Sequence, residues 1–394
     1  MASPFGDIEQ AVAVATPGTA VRVLPGTYAG GAFIAGVEGT ATAPIWIGGV
    51  PGDPRPVFSG GGTAIQISGA RYLVLHDLEV ENMTDNGVNI DDSAEYDNPD
   101  AARFISVERV SIHDIGNGGN QDCLKLSGLN NFWVLDSVFE ACSGSAVDHV
   151  GCHDGRLARN TFRNGVATGV QAKGGSADLD IERNLFESAG ERAINLGGST
   201  GFEFFRPPLS LANANAEATN IRVFANVIVG STSPLAFVGC VDCAAINNTI
   251  INPENWIFRI LQETTSFDGY TFLPAQNGVF DNNLVYFARG DLSGEDINVG
   301  SDTSPETFTA SNNLWYAHDN PGASAPATLP GTETGSIVGQ DPLMVNPSSG
   351  LYSIGGDSPA FQAGVQSIAT ADMVGTCYLS PPSIGGFEAT FIKE

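Results

Sequence analysis

The chain reads as an all-β solenoid of stacked coils, closed at its N-terminal end by a short helix. Two observations carry this reading. The first is a period. In residues 121–198 four strand-like stretches begin their inward residues at Leu124, Val147, Val170 and Ile194, spaced 23, 23 and 24 residues apart. A fixed repeat in the low twenties, with a glycine in each unit, marks coils that bury their apolar side only by stacking on one another. The second is alternation. Successive strand residues face opposite ways, so Leu124/Leu126, Val147/His149, Val170/Ala172 and Ile194/Leu196 point inward.

The residues between them then form outward columns. One holds Lys125, Asp148, Gln171 and Asn195; the next holds Ser127, Val150, Lys173 and Gly197. With coils ~4.8 Å apart, Lys125, Asp148 and Lys173 come within reach of one sugar-sized ligand. The chain has only three lysines, Lys125, Lys173 and Lys393. Two of them leave the same sheet two coils apart, in a protein that otherwise avoids the usual surface cation.

Taken in order, residues 5–16 place Phe5, Ile8 and Val12 at helical spacing, which predicts a cap over the first coil. Coils follow over 19–319, with strands such as PIWIGG (44–49), AIQISG (64–69) and GVNIDD (87–92) punctuated by Gly and Pro. Gln66 and Asn89 extend the first outward column below Lys125. PLAFVGC (234–240) matches SAVDHVGC (145–152), so Phe237 answers to His149, which is therefore expected in the core. The same register puts Arg259 and Asn298 in the first outward column. Asn160, Asn184, Asn226, Asn248, Asn283 and Asn313 recur at one corner, where a left-handed backbone or a bond to the local backbone suits asparagine. Stacking would make them a ladder.

Three insertions break the period, at 91–104, 197–217 and 262–274. Long loops in a compact fold are usually functional. The latter two carry Phe202, Phe204, Phe205 and Tyr270, which either wall a cleft for sugar rings or pack the loops onto the coils. The acidic first loop offers Asp91 and Asp92 as oxygen ligands for calcium, or is a solvated turn. Residues 320–394 read as a surface connection and a segment closing the last coil, which makes one domain of 1–394.

A net charge of −27 argues against nucleic acid and anionic membrane surfaces as partners, and no run of 18 apolar residues predicts a span. Six cysteines, an even number, suit disulfides in an oxidising compartment. Cys240 and Cys243 lack a second pair at zinc spacing. MASPFGDIEQ shows no basic stretch before an apolar core, and the reading adopted is that an export signal has been removed. A secreted monomer is expected.

The PGTY start (25–28), the coil repeats and the DPLMVNP…SPAFQAG end (341–364) resemble secreted bacterial single-stranded right-handed parallel β-helix proteins of the pectate-lyase-like superfamily. Within it the chain looks most like the β-helical alginate and dermatan-sulfate lyases. Those carry a catalytic lysine in an Asn-Lys-Ser strand and an arginine one coil on, in a Leu-Arg-His-Gly strand. AKGGS (172–176) resembles the lysine strand, which puts Lys173 at the catalytic position, whereas INLGGS (194–199) has Gly197 where the arginine falls. Arg192, Arg206 and Arg259 are the substitutes available. The resemblance implies β-elimination on an acidic polysaccharide, with no obligatory cofactor.

The chemistry suits the residues. Elimination from a uronate needs its carboxylate neutralised, a base for the C5 proton and a donor for the leaving oxygen. Lysine serves as base when desolvation and nearby cations lower its pKa. The expected roles are Lys173 as base, Lys125, Gln171, Asn195 and Arg259 on carboxylates, and an arginine or Tyr270 as acid, with Asp148 between the lysines. Phe205 and Arg206 are expected to contact substrate. Three readings compete: a glycoside hydrolase using Asp91 and Asp148, a uronan C5-epimerase, and a carbohydrate-binding β-helix without catalysis.

Overall fold

A computed structural model describes residues 4–389; Lys393 lies outside the described residues. Each coil contributes one strand to each of three sheets, and strands of successive coils pair in parallel. One coil, for example, runs Leu124–Ser127, Leu129–Leu135 and Val138–Cys142, and the next runs Ser145–Val150, His153–Ala158 and Thr161–Gly165. The corner between the first two strands of these coils turns on a glycine, Gly128 (φ 70°) alone or Gly151 (φ 62°) followed by Cys152, in the left-handed region that a side chain resists. The three sheets contain 13, 12 and 10 strands. This is the solenoid the period implies.

The register agrees with the sequence reading rung by rung. Leu124 pairs with Val147, Val147 with Val170, Val170 with Ile194, Ile194 with Leu235 and Leu235 with Phe258. These inward side chains join one continuous apolar core that runs from Val12 to Ala317. Phenylalanines stack through it, Phe139 on Phe162 at 5.3 Å and Phe162 on Phe186 at 4.6 Å. His149 lies in that core, fully buried, in register with Leu126 and Ala172. Its Nδ1 is 2.9 Å from the Gln171 carbonyl oxygen and its ring 5.5 Å from that of Phe132.

The asparagines form the expected ladder. Asn160, Asn184, Asn226 and Asn248 each donate from Nδ2 to Oδ1 of the next at 3.0 Å, and Asn283 continues to Asn313 at 3.3 Å. The left-handed residue, however, is the one before each asparagine, such as Arg159, Arg183 and Ala225. The asparagine itself keeps its amide for the neighbouring coils, which is the larger gain for a buried polar group.

The ends differ from expectation. The cap helix is short, Ile8–Val12, started by Asp7, whose carboxylate accepts from the Gln10 amide at 2.7 Å. Glu9 accepts the free edge amide of Phe33 at 2.8 Å. Phe5 lies outside the helix and is exposed. At the other end the coils continue past 319, to Thr332–Thr334 and Ile337–Val338. The C-terminal segment does not plug the last coil. It runs back along the outside, where Ile354, Ala360 and Ile384 cover the outward Ile251, Leu284 and Leu314. Apolar residues on an outer face need such a cover. Cys123–Cys142 and Cys240–Cys243 are disulfides, Cys152 is a buried thiol and Cys377 an exposed one.

Candidate active site

The first outward column is as read: Gln66, Asn89, Lys125, Asp148, Gln171, Asn195, Ala236, Arg259 and Asn298 are consecutive rungs of the 10-stranded sheet. Outward does not mean exposed, because the insertions fold over it. Asp148 is fully buried and Lys173 is 9 % exposed. The expected groove is a cleft of about 550 Å³ lined by Lys125, Asp148 and Lys173, and the lysines in it are less open to solvent than outward residues of a bare sheet would be.

The floor of the cleft is a chain of alternating charge. Asp122 Oδ2 lies 3.0 Å from Lys125 Nζ, Lys125 Nζ lies 3.2 Å from Asp148 Oδ2, and Asp148 Oδ1 lies 3.4 Å from Lys173 Nζ. The last contact is an ion pair without hydrogen-bond geometry. Burial alone would depress Lys125, but Asp148 and Asp122 outweigh it and hold its ammonium above the ordinary lysine range. Burial, and then Asp148, push Asp122 upward. Asp122 escaped the sequence reading, although QDCLK sets it three residues before Lys125 and two before the strand begins.

The walls are not the pair expected. One is the loop after Asp91, with Ala94 and Tyr96; the other is the start of the 197–217 insertion, with Ser199, Thr200 and Phe204. The 262–274 loop stands behind the second wall. Tyr270 packs edge-on against Phe202 at 5.7 Å, and Phe205 is buried against Phe202 and Phe272. Neither reaches the cleft, so both are corrected from substrate contacts to loop packing, the outcome that satisfies apolar rings away from water. Of the aromatic residues in the 197–217 and 262–274 insertions, the one that faces the cleft is Phe204, 43 % exposed, on the short turn Phe202–Phe204.

The arginines are committed elsewhere. Arg206 is buried and holds Asp92 with both ends of its guanidinium, Nε to Oδ2 and Nη2 to Oδ1 at 2.8 Å each, while its plane covers the Tyr96 ring at 4.5 Å. It staples one wall to the other and is not free for substrate. Asp92 thereby has both oxygens occupied, and Asp91 accepts from Gln66 Nε2 at 2.6 Å and from the Ser93 amide at 2.8 Å. Arg192 bonds Asn195 Oδ1 at 3.0 Å and Glu263 Oε1 at 2.8 Å. Arg259 lies over Trp256 and donates to Asn298 at 3.0 Å. Desolvation, followed by the charge of Arg192, depresses the Arg259 guanidinium. Arg192, Arg259, Gln171 and Asn195 share the sheet with the lysines but do not line the cleft. At Gly197 (φ 100°) an added Cβ would stand 1.8 Å from the Val238 carbonyl oxygen, so the position cannot hold a side chain at all.

The rung register, the three parallel sheets and the cleft over one of them define a right-handed parallel β-helix. Residues 63–252 match the family described as right handed beta helix region. A search of curated protein sequences finds no match. Among solved structures, the pectate lyase Pel9A is similar at 15 % identity, over 97 % of this chain and 91 % of that one, with a TM-score of 0.55. The A-module of the Azotobacter vinelandii mannuronan C-5 epimerase AlgE4 is similar at 15 % identity, over 75 % and 86 %, with a TM-score of 0.51. An alginate lyase from Paenibacillus sp. str. FPU-7 aligns at 16 % identity over 84 % and 96 %, with a TM-score of 0.49. At such identities the likeness carries the fold and leaves the reaction open. Among the described residues no helix is long and apolar enough to cross a membrane.

Proposed function

We propose that the protein is a secreted, monomeric polysaccharide lyase that cleaves a uronate-containing polymer by β-elimination. The observation that carries the reading is the floor of the cleft, where two of the chain's three lysines share one buried carboxylate. Lys125, held cationic by Asp122 and Asp148, neutralises the substrate carboxylate and so acidifies C5–H. Lys173, as the neutral amine, takes the C5 proton. The C5–H electron pair becomes the C4–C5 double bond as the C4–O bond breaks. The leaving oxygen takes a proton from the Tyr96 phenol, which replaces Tyr270 in this role because it faces the cleft. Phe204 offers its exposed ring to a sugar face.

No metal is needed in this mechanism. The hydrolase reading is weaker because Asp148 is buried between two ammonium groups and Asp91 is engaged by Gln66 and Ser93. The test is a panel of acidic polysaccharides, with and without chelator, followed by the ultraviolet absorbance of an unsaturated uronate. Lys173→Ala should abolish the signal and Tyr96→Phe should lower it about a hundredfold. New reducing ends without absorbance would favour a hydrolase, and inverted C5 stereochemistry without cleavage an epimerase.

A further inference from the structure

Glu217 is the residue at which the 197–217 insertion rejoins the coil, and it is 1 % exposed. Its carboxylate accepts from the Gly174 amide (Oε2, 3.1 Å) and from the hydroxyl of Thr264, itself buried in the 262–274 loop. Its own carbonyl oxygen accepts from the Gly175 amide at 2.9 Å. Gly174 and Gly175 are the left-handed turn immediately after Lys173 (φ 64° and 85°). The opposite side of that turn is held by Arg206, whose amide donates to the Gly174 carbonyl oxygen at 3.1 Å. The turn that follows the lysine is therefore clamped by one buried acid and by both insertions.

We infer that Glu217 is a positioning residue, which fixes the end of the Lys173 strand and couples both insertion loops to it. The inference rests on the lyase reading above. A carboxylate is costly to bury and is retained where an amide would satisfy the same donors less strongly. The charged groups that reach it are Lys173, which favours its ionised form, and Glu263, which opposes it. Burial, the largest influence, pushes it up to about 7. Its grip on Gly174 and Thr264 therefore strengthens as it ionises, and the positioning of Lys173 gains with rising pH through that range.

The experiment compares wild type, Glu217→Gln and Glu217→Ala in the full chain. Glu217→Ala should lower kcat by about ten- to a hundredfold with KM little changed, as expected for a displaced reactive group. Glu217→Gln, which keeps an acceptor for Gly174, should recover most of kcat and lose the pH dependence centred near 7. Hydrogen exchange at the Gly174 and Gly175 amides should quicken in Glu217→Ala, and this readout needs no substrate. Wild-type kcat, pH profile and exchange in both variants, with Lys173→Ala inactive, would overturn the inference and leave the lyase reading standing. An active Lys173→Ala would instead sink the lyase reading, and exchange at the two amides would then decide the clamp alone. Should Glu217→Ala not fold, the Glu217→Gln pH profile decides.

Discussion

Asp148 stands between Lys125 and Lys173, with one carboxylate oxygen 3.2 Å from the first ammonium and the other 3.4 Å from the second. It is fully buried, and both cations depend on it for compensation, Lys173 more so because Lys125 also has Asp122. Removing one partner of a buried ion pair typically costs ~3–5 kcal/mol, since the remaining charge is left in low dielectric. Asp148→Asn should thus lower stability by about 3 kcal/mol, read as a lower urea midpoint with an unchanged slope. Lys173→Ala should cost less, because it leaves Asp148 paired with Lys125.

His149 makes the fold sensitive to acid. Burial lowers its pKa to about 4, against an ordinary value of 6.5. The unfolded chain therefore binds this proton at higher pH than the folded one. The stability tied to the neutral ring is complete above 6.5 and drains away as pH falls from 6.5 toward 4. His149→Phe, copying Phe237 three rungs up, should keep turnover and flatten the loss of melting temperature across that window. A folded but inactive variant would mean that the ring takes part in the reaction.

Gly197 excludes an arginine at its position, so the lysine–arginine pair that the resemblance implies cannot be completed there. Its φ of 100° and the 1.8 Å that would separate a Cβ from the Val238 carbonyl oxygen leave no room for a side chain. Gly197→Arg should fail to fold or lose more than ~4 kcal/mol, the range of severe backbone conflict. It should not raise turnover. A soluble, more active variant would show that this coil can shift its register.

Asn226 lies mid-ladder, accepting from the Asn184 amide at 2.9 Å and donating to the Ile181 carbonyl oxygen at 2.8 Å and to Asn248 Oδ1 at 3.0 Å. Asn226→Ala would leave several fully buried partners unsatisfied, at ~1–3 kcal/mol each before relaxation. A loss of about 3 kcal/mol by urea unfolding is expected, with no change in KM.

The sequence by itself determined the coil period, the inward and outward columns, the core place of His149, the asparagine ladder and the lysines on one face. All of these follow from local alternation and from a repeat that brings residue i beside a residue some 23 positions on, so counting along the chain is enough. What only the tertiary structure decided lies in the insertions. Arg206 reaches Asp92 across 114 residues and Thr264 reaches Glu217 across 47, at separations no period predicts. Those contacts turn an expected substrate-binding arginine into a staple, take Phe205 and Tyr270 out of the cleft, put Tyr96 and Phe204 into it, and bury Asp148 and Lys173. A repeating rung has its neighbours set by the backbone hydrogen bonds of the sheet, whereas a loop takes whichever packing best removes its rings and charges from water.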